Sequence, residues 1–599
     1  MSNILKSSMM LMSGGGAVNN GLVARYYISA GGANPATCEA SFEGVYDIGN
    51  NGLRGGYQYT AITSVEFPDL ETITGSYALS EAFLNNTSLE IIEFPSLESV
   101  TGNYAMNKMC YNCTGLTSID LSLLTSIPNY GLYQAFYGCN HITNADLSEV
   151  TTVGTYGMYQ AFYGNSSLTS IDLSSLTAVP NYALYQAFYN NTSMTSTNLS
   201  NITTVGTNGL KEAFNGCTNL TGSLTFSELT TLSEGGMNSA FKGSKVTSVS
   251  FPKLTSVGGG SSNNSNNGGL YETFMNCTSL TSASFPVLET INSGSDNLQE
   301  VLRGCTSLTS VNFESLKSVT RYNGIYYICE GDTSLQSISF PKLETLSGES
   351  VFALSFKNCT GLTSASFPAL TSVSGKYAMQ EAFLNDTNLT TIYFPNLTSI
   401  SGQYAFKDTF KNSGVTSASF PELVTINSSS TDDTLCNMFD QCNSLISISF
   451  GKLSDASKTY ALHAICTDCP NLETALFPEL VSVGTQGMQA ALGCASESVA
   501  NTAMTTISFP KLATLGSYAF RSMFKYYAAL ETVYFPALTS VQKNSFGEGT
   551  SSSPYAFMGT TSLTEIHFPA AMQSAIEATT GYSTVWGHGA DSTIVRFDL

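Results

Sequence analysis

The sequence predicts an α/β solenoid, a right-handed superhelix of about 19 strand-turn-helix repeats with a cap at each end. A six-residue unit, Leu-x-x-apolar-x-Phe/Leu, recurs at a nearly constant interval along most of the chain. Of the 17 prolines, 12 directly follow the phenylalanine that ends this unit, where a residue without an N–H stops a strand. The units end at Phe67, Phe94, Leu121, Leu147, Leu173, Leu199, Phe226, Phe251, Phe285, Phe313, Phe340, Phe367, Phe394, Phe420, Phe450, Phe477, Phe509, Phe535 and Phe568.

The stretch from Leu168 to Phe188 shows the elements of one repeat. Ile171 and Leu173 alternate with the polar Asp172, as in a half-buried strand. A turn follows, and Leu184 and Phe188 are then four residues apart, which predicts one apolar stripe on a short helix. Such a unit buries its apolar edge only against copies of itself.

The two ends of the chain differ from the repeats. Residues 1–60 lack the repeat and are predicted to be a cap or an attachment segment, before a solenoid over residues 61–568. In a C-terminal cap of residues 569–599 we expect a helix at 570–576 and a closing strand at 593–597. Trp586, the one tryptophan, lies between them and is expected to seal the core.

Composition and motifs narrow the classes of function. Lys and Arg total 23 against 44 Asp and Glu, a net charge of −21 without a basic block, which argues against nucleic acid as a partner. We expect no secretory signal between Met1 and Met12, no membrane span, no cofactor and no enzymatic activity, because no catalytic or phosphate-binding motif occurs. The four histidines, at positions 141, 463, 567 and 588, form no paired-histidine metal motif.

One repeat in particular, TFMNCTSLTSASFP, resembles the BspA-like class of leucine-rich repeats. Phe274, Cys277, Leu280, Phe285 and Pro286 match the pattern A-F-x-x-C-x-x-L-x-x-I-x-apolar-P, whereas a threonine and an alanine replace its first alanine and its isoleucine. The resemblance covers roughly residues 61–572. It implies a surface or adhesive role and does not specify the partner.

Cysteine occupies one repeated position, three residues before the apolar residue that opens a strand. Asn or Asp fills the same position in other repeats, which predicts a small buried slot that holds a reduced thiol rather than a disulfide. The slot cysteines are Cys113, Cys139, Cys217, Cys277, Cys305, Cys359, Cys442 and Cys469, and the alternatives are Asn86, Asn165, Asn191, Asp332 and Asp386.

A row of acidic residues is the first candidate site. In the first five repeats the residue before the strand-ending apolar residue is a carboxylate that should face outward, because neighbouring residues of a strand alternate in direction. The row is a weak metal candidate for a hard cation with oxygen ligands, and the alternative is a set of separate solvated carboxylates. Its members are Glu66, Glu93, Asp120, Asp146 and Asp172.

The second candidate is a tyrosine array in three consecutive repeats, NYGLYQAFYGC, TYGMYQAFYGN and NYALYQAFYNN. Tyrosine suits contact surfaces because it combines a rigid apolar body with a polar tip, so the array is predicted to bind a partner. Packing between repeats explains such a pattern equally well. The nine residues are Tyr130, Tyr133, Tyr137, Tyr156, Tyr159, Tyr163, Tyr182, Tyr185 and Tyr189.

Three polar insertions, residues 258–269, 427–434 and 542–554, are a third candidate, since loops on a rigid scaffold often carry binding. The sequence as a whole favours a non-enzymatic adhesive protein on a virion or an extracellular surface, without membrane insertion. We expect a virion protein, a bacteriophage tail or head fibre, that contacts a host-surface protein or glycan, or other virion subunits. A cellular surface adhesin and a structural scaffold subunit are the alternatives, and a homo-oligomer stays open.

Overall fold

The computed structural model describes residues 25–28, 38–58, 61–261, 266–426, 433–551, 554–589 and 592–599. The chain divides into two compact units, residues 1–285 and 286–599, each built of stacked repeats. Most of the N-terminal segment before residue 38, and part of each polar insertion (262–265, 427–432 and 552–553), lie outside the described residues.

Each repeat contributes one strand to a first ladder, the terminal segments add strands at 25–28, 38–41 and 595–597, and the paired strands are parallel except for the first pair. The strand predicted at 170–172 is present, with Ile171 buried between the outward-facing Ser170 and Asp172. In the first unit the strands are Arg25–Ile28, Cys38–Ser41, Ile62–Glu66, Ile91–Glu93, Ser118–Asp120, Asn144–Asp146, Ser170–Asp172, Ser196–Asn198, Thr221–Thr225, Lys245–Ser250 and Ser282–Ser284. In the second they are Ser310–Asn312, Ser337–Ser339, Ser364–Ser366, Thr391–Tyr393, Ser417–Phe420, Ser447–Phe450, Thr474–Leu476, Thr506–Ser508, Thr532–Tyr534, Glu565–Phe568 and Val595–Phe597.

A second ladder of two-residue strands follows the turn in each repeat and is also parallel. Its second residue is apolar and faces the core in most repeats. The first unit has Thr72–Ile73, Ser99–Val100, Ser126–Ile127, Thr152–Val153, Ala178–Val179, Thr204–Val205, Thr231–Leu232 and Ser256–Val257. The second has Thr290–Ile291, Ser318–Val319, Thr345–Leu346, Ser372–Val373, Ser399–Ile400, Thr425–Ile426, Asp455–Ala456, Ser482–Val483, Thr514–Leu515 and Ser540–Val541.

The predicted helix of each repeat is wrong, and with it the α/β class: within the described residues the repeats form a parallel β-solenoid. The segment between the second ladder and the slot, which we call the turn segment, is a chain of tight turns. In the repeat around residue 134 the backbone is left-handed at Tyr130, Gln134 and Gly138, with φ of 56°, 53° and 71°. These three places, four residues apart, are the first, second and third left-handed positions of a turn segment. A left-handed residue every fourth position is incompatible with an α-helix.

Hydrogen bonds explain why the turn segment is stable. The N–H groups of Leu132, Gln134 and Phe136 donate to carbonyls of the next repeat at 2.7 to 2.8 Å. The N–H groups between them donate three residues back, as from Ala135 to the Leu132 carbonyl at 3.1 Å. A helix would direct these donors along its own axis, and packed helices need about 8–10 Å of separation, whereas hydrogen-bonded strands are about 4.8 Å apart.

The core between the ladders and the turn segments is apolar and repeats from coil to coil. Phe136, Phe162 and Phe188 stack on one another with ring centroids 5.1 and 5.7 Å apart. The described cysteines are buried free thiols, except that nothing is described of the Cys38 side chain. Slot thiols donate to a carbonyl of the preceding repeat, as from Cys113 Sγ to the Phe83 oxygen at 3.0 Å, which agrees with the structural role predicted for them.

Among the described residues, helical turns occur near the C-terminal end of the second unit and in one irregular loop. The α-helix Gln573–Glu577 follows the 3₁₀ turn Ala570–Met572, and other 3₁₀ turns are Glu497–Val499, Tyr582–Thr584 and Ser592–Ile594. Trp586 is fully buried, packs on Phe546 at 4.4 Å and donates from Nε1 to Thr579 Oγ1 at 2.9 Å. In the first unit, the strand at 25–28 pairs antiparallel with the strand at 38–41.

Candidate binding surface

The turn segments place the tyrosines of the array in three columns. Tyr130 occupies the first left-handed position, and Tyr133 and Tyr137 directly precede the second and the third. Each turn segment hydrogen-bonds to the next in constant register, so side chains at equivalent positions of consecutive repeats become direct neighbours. Over several repeats these neighbours form columns.

Aromatic stacking runs along each column. Ring centroids are 4.3 to 4.9 Å apart, and the ring planes are within about 11° of parallel. The first column contains Tyr77, Tyr104, Tyr130, Tyr156 and Tyr182; the second contains Tyr133, Tyr159 and Tyr185; the third contains Tyr111, Tyr137, Tyr163 and Tyr189. These twelve residues are the tyrosine array from here on.

The structure thus adds three tyrosines that sequence reasoning missed. Tyr77, Tyr104 and Tyr111 extend the first and third columns into two earlier repeats. The signal was present in the sequence, since SYALSEAF and NYAMNKMCYNC align with NYGLYQAFYGC. It was overlooked because these repeats lack the second-column tyrosine.

The array is neither core nor free surface, because its side chains are half-buried. Burial, followed by the proximity of other tyrosines, raises the pKa of Tyr133 and Tyr159, the latter to about 12. Burial and the nearby Glu212 carboxylate raise the pKa of Tyr185 as well. These hydroxyls are therefore neutral donors and acceptors at physiological pH.

Polar groups flank the array along the second left-handed position. Gln134 donates to Gln160 at 2.6 Å, Gln160 donates to Gln186, and Gln186 donates to Glu212 Oε2 at 2.7 Å. At the other end the Arg54 guanidinium lies 4.8 Å from the centroid of the Tyr77 ring. The array is thus bordered by a cation at one end and a carboxylate at the other.

Stacking limits what the array can do chemically. Within a column each ring face is covered by the next ring, so a planar ligand cannot insert between them without breaking a stack. What the array offers is a row of ring edges and hydroxyls with a period close to the strand spacing. Such a surface fits a partner that accepts hydrogen bonds over a broad contact.

The acidic row has a structural explanation in three of its five positions. The carboxylates of Asp120, Asp146 and Asp172 accept the backbone N–H of the serine two residues later, at 2.9 to 3.0 Å. The side-chain oxygens of Asn198 and Asn312 likewise accept the backbone N–H of the residue two positions later. In twelve repeats the residue two positions later is proline, which has no N–H to donate. None of these repeats has Asp or Asn at the outward position, and Glu66 and Glu93 belong to this group.

Comparison with known proteins identifies the class. The family model described as "BspA type Leucine rich repeat region (6 copies)" matches residues 54–186, 133–268, 270–413 and 355–496. The chain therefore belongs to the BspA-type leucine-rich-repeat family. Leucine-rich-repeat proteins are generally non-enzymatic, and those of the BspA-like class are typically found at the cell surface or outside the cell.

Among solved structures, the chain is similar to a leucine-rich repeat protein from Bacteroides ovatus at 15% identity and a TM-score of 0.38, covering 93% of this chain and 96% of that one. A leucine rich cell surface protein from Faecalibacterium prausnitzii shows 20% identity and a TM-score of 0.31, with 64% and 95% covered. No curated protein matches the sequence. Among the described residues, no helix is long and apolar enough to cross a membrane.

Proposed function

We propose that this protein is a non-enzymatic binding protein whose tyrosine array is its contact surface. The observation that carries the proposal is the array itself: twelve half-buried tyrosines in three stacked columns, held by a hydrogen-bonded backbone. Rigid aromatic residues with polar tips lose little conformational entropy on binding, which favours their use in interfaces.

The partner is a host-surface protein or glycan that meets ring edges and hydroxyls rather than ring faces. A net charge of −21 disfavours nucleic acid and other polyanions. The array offers neutral hydroxyls and amides, with Arg54 at one end and Glu212 at the other, so its recognition relies on hydrogen bonds and apolar contact more than on charge.

In its more specific form the proposal places the chain on a virion, as a bacteriophage tail or head fibre. Buried free thiols support this, since a protein assembled in a reducing cytosol keeps its cysteines unpaired. The alternatives are a cellular adhesin and a scaffold subunit that joins other virion subunits or copies of itself. Mass spectrometry of purified virions and of cell-surface fractions separates the first two, and light scattering of the isolated protein tests self-association.

The contact surface is tested by removing hydroxyls without removing rings. We expect the triple variant Tyr130→Phe, Tyr156→Phe, Tyr182→Phe to bind intact bacterial cells at least tenfold more weakly, on the order of the loss of one or two good hydrogen bonds. Protease-treated and periodate-oxidised cells distinguish a protein receptor from a glycan.

The matched control is the pair Tyr377→Phe, Tyr404→Phe. These two tyrosines occupy the first left-handed position of their own repeats and stack at 5.4 Å, outside the array. Their replacement should leave binding unchanged. Equal binding by a folded triple variant would remove the array from the contact surface.

A further inference from the structure

A different set of side chains occupies the columns in the second unit. Cys436 directly precedes Asn437, and His463 directly precedes Ala464, both left-handed residues with φ of 54° and 52°. Cys436 and His463 therefore hold second-column positions in adjacent repeats. Asp433, four residues before Asn437, holds the first-column position of its repeat.

Stacking of adjacent repeats brings these three side chains together. Asp433 Oδ1 lies 2.9 Å from His463 Nδ1, and Cys436 Sγ lies 3.7 Å from the same nitrogen. One ligand atom from each of the three residues lies within 4.8 Å of the other two. Within the described part of the chain this is the one such group of three histidine, cysteine or acidic residues.

We propose that Asp433, Cys436 and His463 form a binding site for a transition-metal ion, with Zn²⁺ as the ligand of choice. Zinc takes sulfur, imidazole nitrogen and carboxylate oxygen together, whereas magnesium and calcium prefer oxygen alone. Its bonds of about 2.0–2.3 Å in tetrahedral geometry require ligand atoms about 3–4 Å apart. The separations from His463 Nδ1 to the other two residues are close to that range.

A cation can reach this place from solvent. The side chains of His463 and Asp433 are 22% and 23% exposed, so an ion can enter from solvent, while Cys436 is buried. Asp408 and Asp440 add negative charge near the thiol, and Lys407 partly offsets it. Lys411 pairs with Asp440 at 2.9 Å and lies 3.8 Å from Asp408, so these two carboxylates are largely compensated and the negative charge of the site itself comes from Asp433.

Binding at this site is coupled to proton release. Cys436 is buried near two carboxylates, an environment that disfavours the thiolate while no cation is bound. A bound cation requires the thiolate and displaces the thiol proton. Zinc affinity should therefore increase with pH. With three protein ligands, a fourth position stays open to water or to a group on a partner.

The alternative is an ion pair between Asp433 and a protonated His463, beside a buried structural thiol. This arrangement needs no metal and predicts no thiolate. The two interpretations differ in whether the sulfur contacts the ion, which spectroscopy with Co²⁺ reports directly.

The experiment titrates the full chain with Co²⁺ and Zn²⁺ under reducing conditions. We expect one ion per chain, a thiolate-to-cobalt charge-transfer band, and its displacement by Zn²⁺. Cys436→Ser should abolish the band, and His463→Gln and Asp433→Ala should each raise the Kd for Zn²⁺ by at least the ~10–100-fold typical of losing a supporting group.

Two variants serve as controls for the other cysteines and histidines. Cys217→Ser removes a buried slot thiol and His141→Gln removes an exposed imidazole, and both should keep the band and the Kd. Circular dichroism confirms that each variant is folded. The metal site is refuted if wild-type protein shows no charge-transfer band, or if the band persists in folded Cys436→Ser.

Discussion

The turn segments at residues 129–190 and those at 433–464 place their side chains on the same backbone positions, yet present different chemistry. In the first region the column positions carry tyrosines, which stack face to face at 4.6 to 4.9 Å. In the second they carry Asp433, Cys436 and His463, whose polar atoms converge within 4.8 Å. One scaffold distance thus suits both aromatic stacking and a group of polar ligand atoms.

The comparison shows how a repeat protein separates fold from site. The backbone ladder sets which residues of consecutive repeats become neighbours, and the identity of those residues then determines the chemistry. Core positions vary little between the regions, since Phe136 and Phe162 of the first stack in the same way as Phe410 and Phe439 of the second. Column positions are therefore where function can change without altering the fold.

The largest effect is expected from emptying a tyrosine column. The triple variant Tyr133→Ala, Tyr159→Ala, Tyr185→Ala removes two stacking contacts and the tilted contacts with the first column, at roughly 0.5–1.5 kcal/mol each, besides buried apolar area. We expect a loss of about 4 kcal/mol in the free energy of unfolding, measured in urea. A loss below about 1 kcal/mol would mean that the column does not support the fold.

The close spacing of adjacent repeats can be tested in each unit by a glycine-to-alanine substitution. A Cβ added to Gly102 would meet the Gly75 carbonyl oxygen at 2.0 Å, and one added to Gly402 would meet that of Gly375 at 1.9 Å. Because the obstacle is backbone, Gly102→Ala and Gly402→Ala should each cost about 1–3 kcal/mol in thermal or urea unfolding. If either change is neutral, the repeats around that glycine are farther apart than described.

Two slots of the second unit hold an ionisable side chain where slots near the tyrosine array hold an amide. Asn165 and Asn191 fill it near the tyrosine array, whereas Asp332 and Asp386 fill it in the second unit, and burial raises the pKa of both aspartates well above the ordinary value. A folded pKa above the unfolded one means that stability is lost as pH rises through about 4 and beyond. Asp386→Asn should therefore stabilise the fold by about 1–3 kcal/mol at pH 7, and by less at pH 4.

The reciprocal change is the control for that prediction. Asn165→Asp places a carboxyl in a slot of the first unit and should destabilise it at pH 7 more than at pH 4. Urea unfolding at both pH values measures these effects. If Asp386→Asn did not change the stability at pH 7, burial of the Asp386 carboxyl would not destabilise the fold.

Much of the fold follows from sequence because the strands carry a clear signal. Ile171 and Leu173 alternate with polar residues, and proline marks the end of most strands, so the repeat and its parallel ladder were predictable. The turn segment was not. Buried residues at 132, 136 and 139 fit both a helical period of 3.6 and a chain of four-residue turns, and a segment this short does not distinguish them. Glycine or asparagine at the third left-handed position, as at Gly138, was the unused signal.

The two candidate sites also differ in how well the sequence predicts them. The nine tyrosines were found because they repeat visibly, whereas Asp433, Cys436 and His463 follow no local metal motif. Asp433 and Cys436 lie in one repeat, and only the register of adjacent repeats brings His463, 27 and 30 residues further along the chain, next to them. A search of each column position across consecutive repeats would have found them.

The tyrosine array should also make stability depend on alkaline pH. Burial raises the pKa of Tyr133, Tyr159 and Tyr185 above the ordinary value of about 10, with Tyr159 at about 12. The folded state holds these protons more tightly than the unfolded state, so this stability is present below pH 10 and lost between pH 10 and 12. Between pH 10 and 12 the midpoint of urea unfolding should fall less in the triple variant Tyr133→Phe, Tyr159→Phe, Tyr185→Phe than in the wild-type protein. An equal fall in both would show that these three hydroxyls do not cause the pH dependence.

The smallest effect concerns the turn that ends the first-ladder strand. Asp172 accepts the Ser174 N–H at 2.9 Å, a bond that asparagine also makes at Asn198. Asp172→Asn should therefore be close to neutral, while Asp172→Ala should cost roughly 0.5–1.5 kcal/mol, the net value of one hydrogen bond.

A double change tests whether proline and aspartate are alternative solutions at this turn. Twelve other repeats have proline at the position equivalent to Ser174. Proline has no N–H for a side chain like that of Asp172 to accept, and its ring restricts the backbone φ angle. In the wild-type background Ser174→Pro leaves the Asp172 carboxylate without this bond. In an Asp172→Ser background the same Ser174→Pro recreates the Ser-apolar-Pro sequence of residues 284–286 and should cost less. A double-mutant cycle in urea measures the difference, and a coupling energy near zero would show that the two residues are independent.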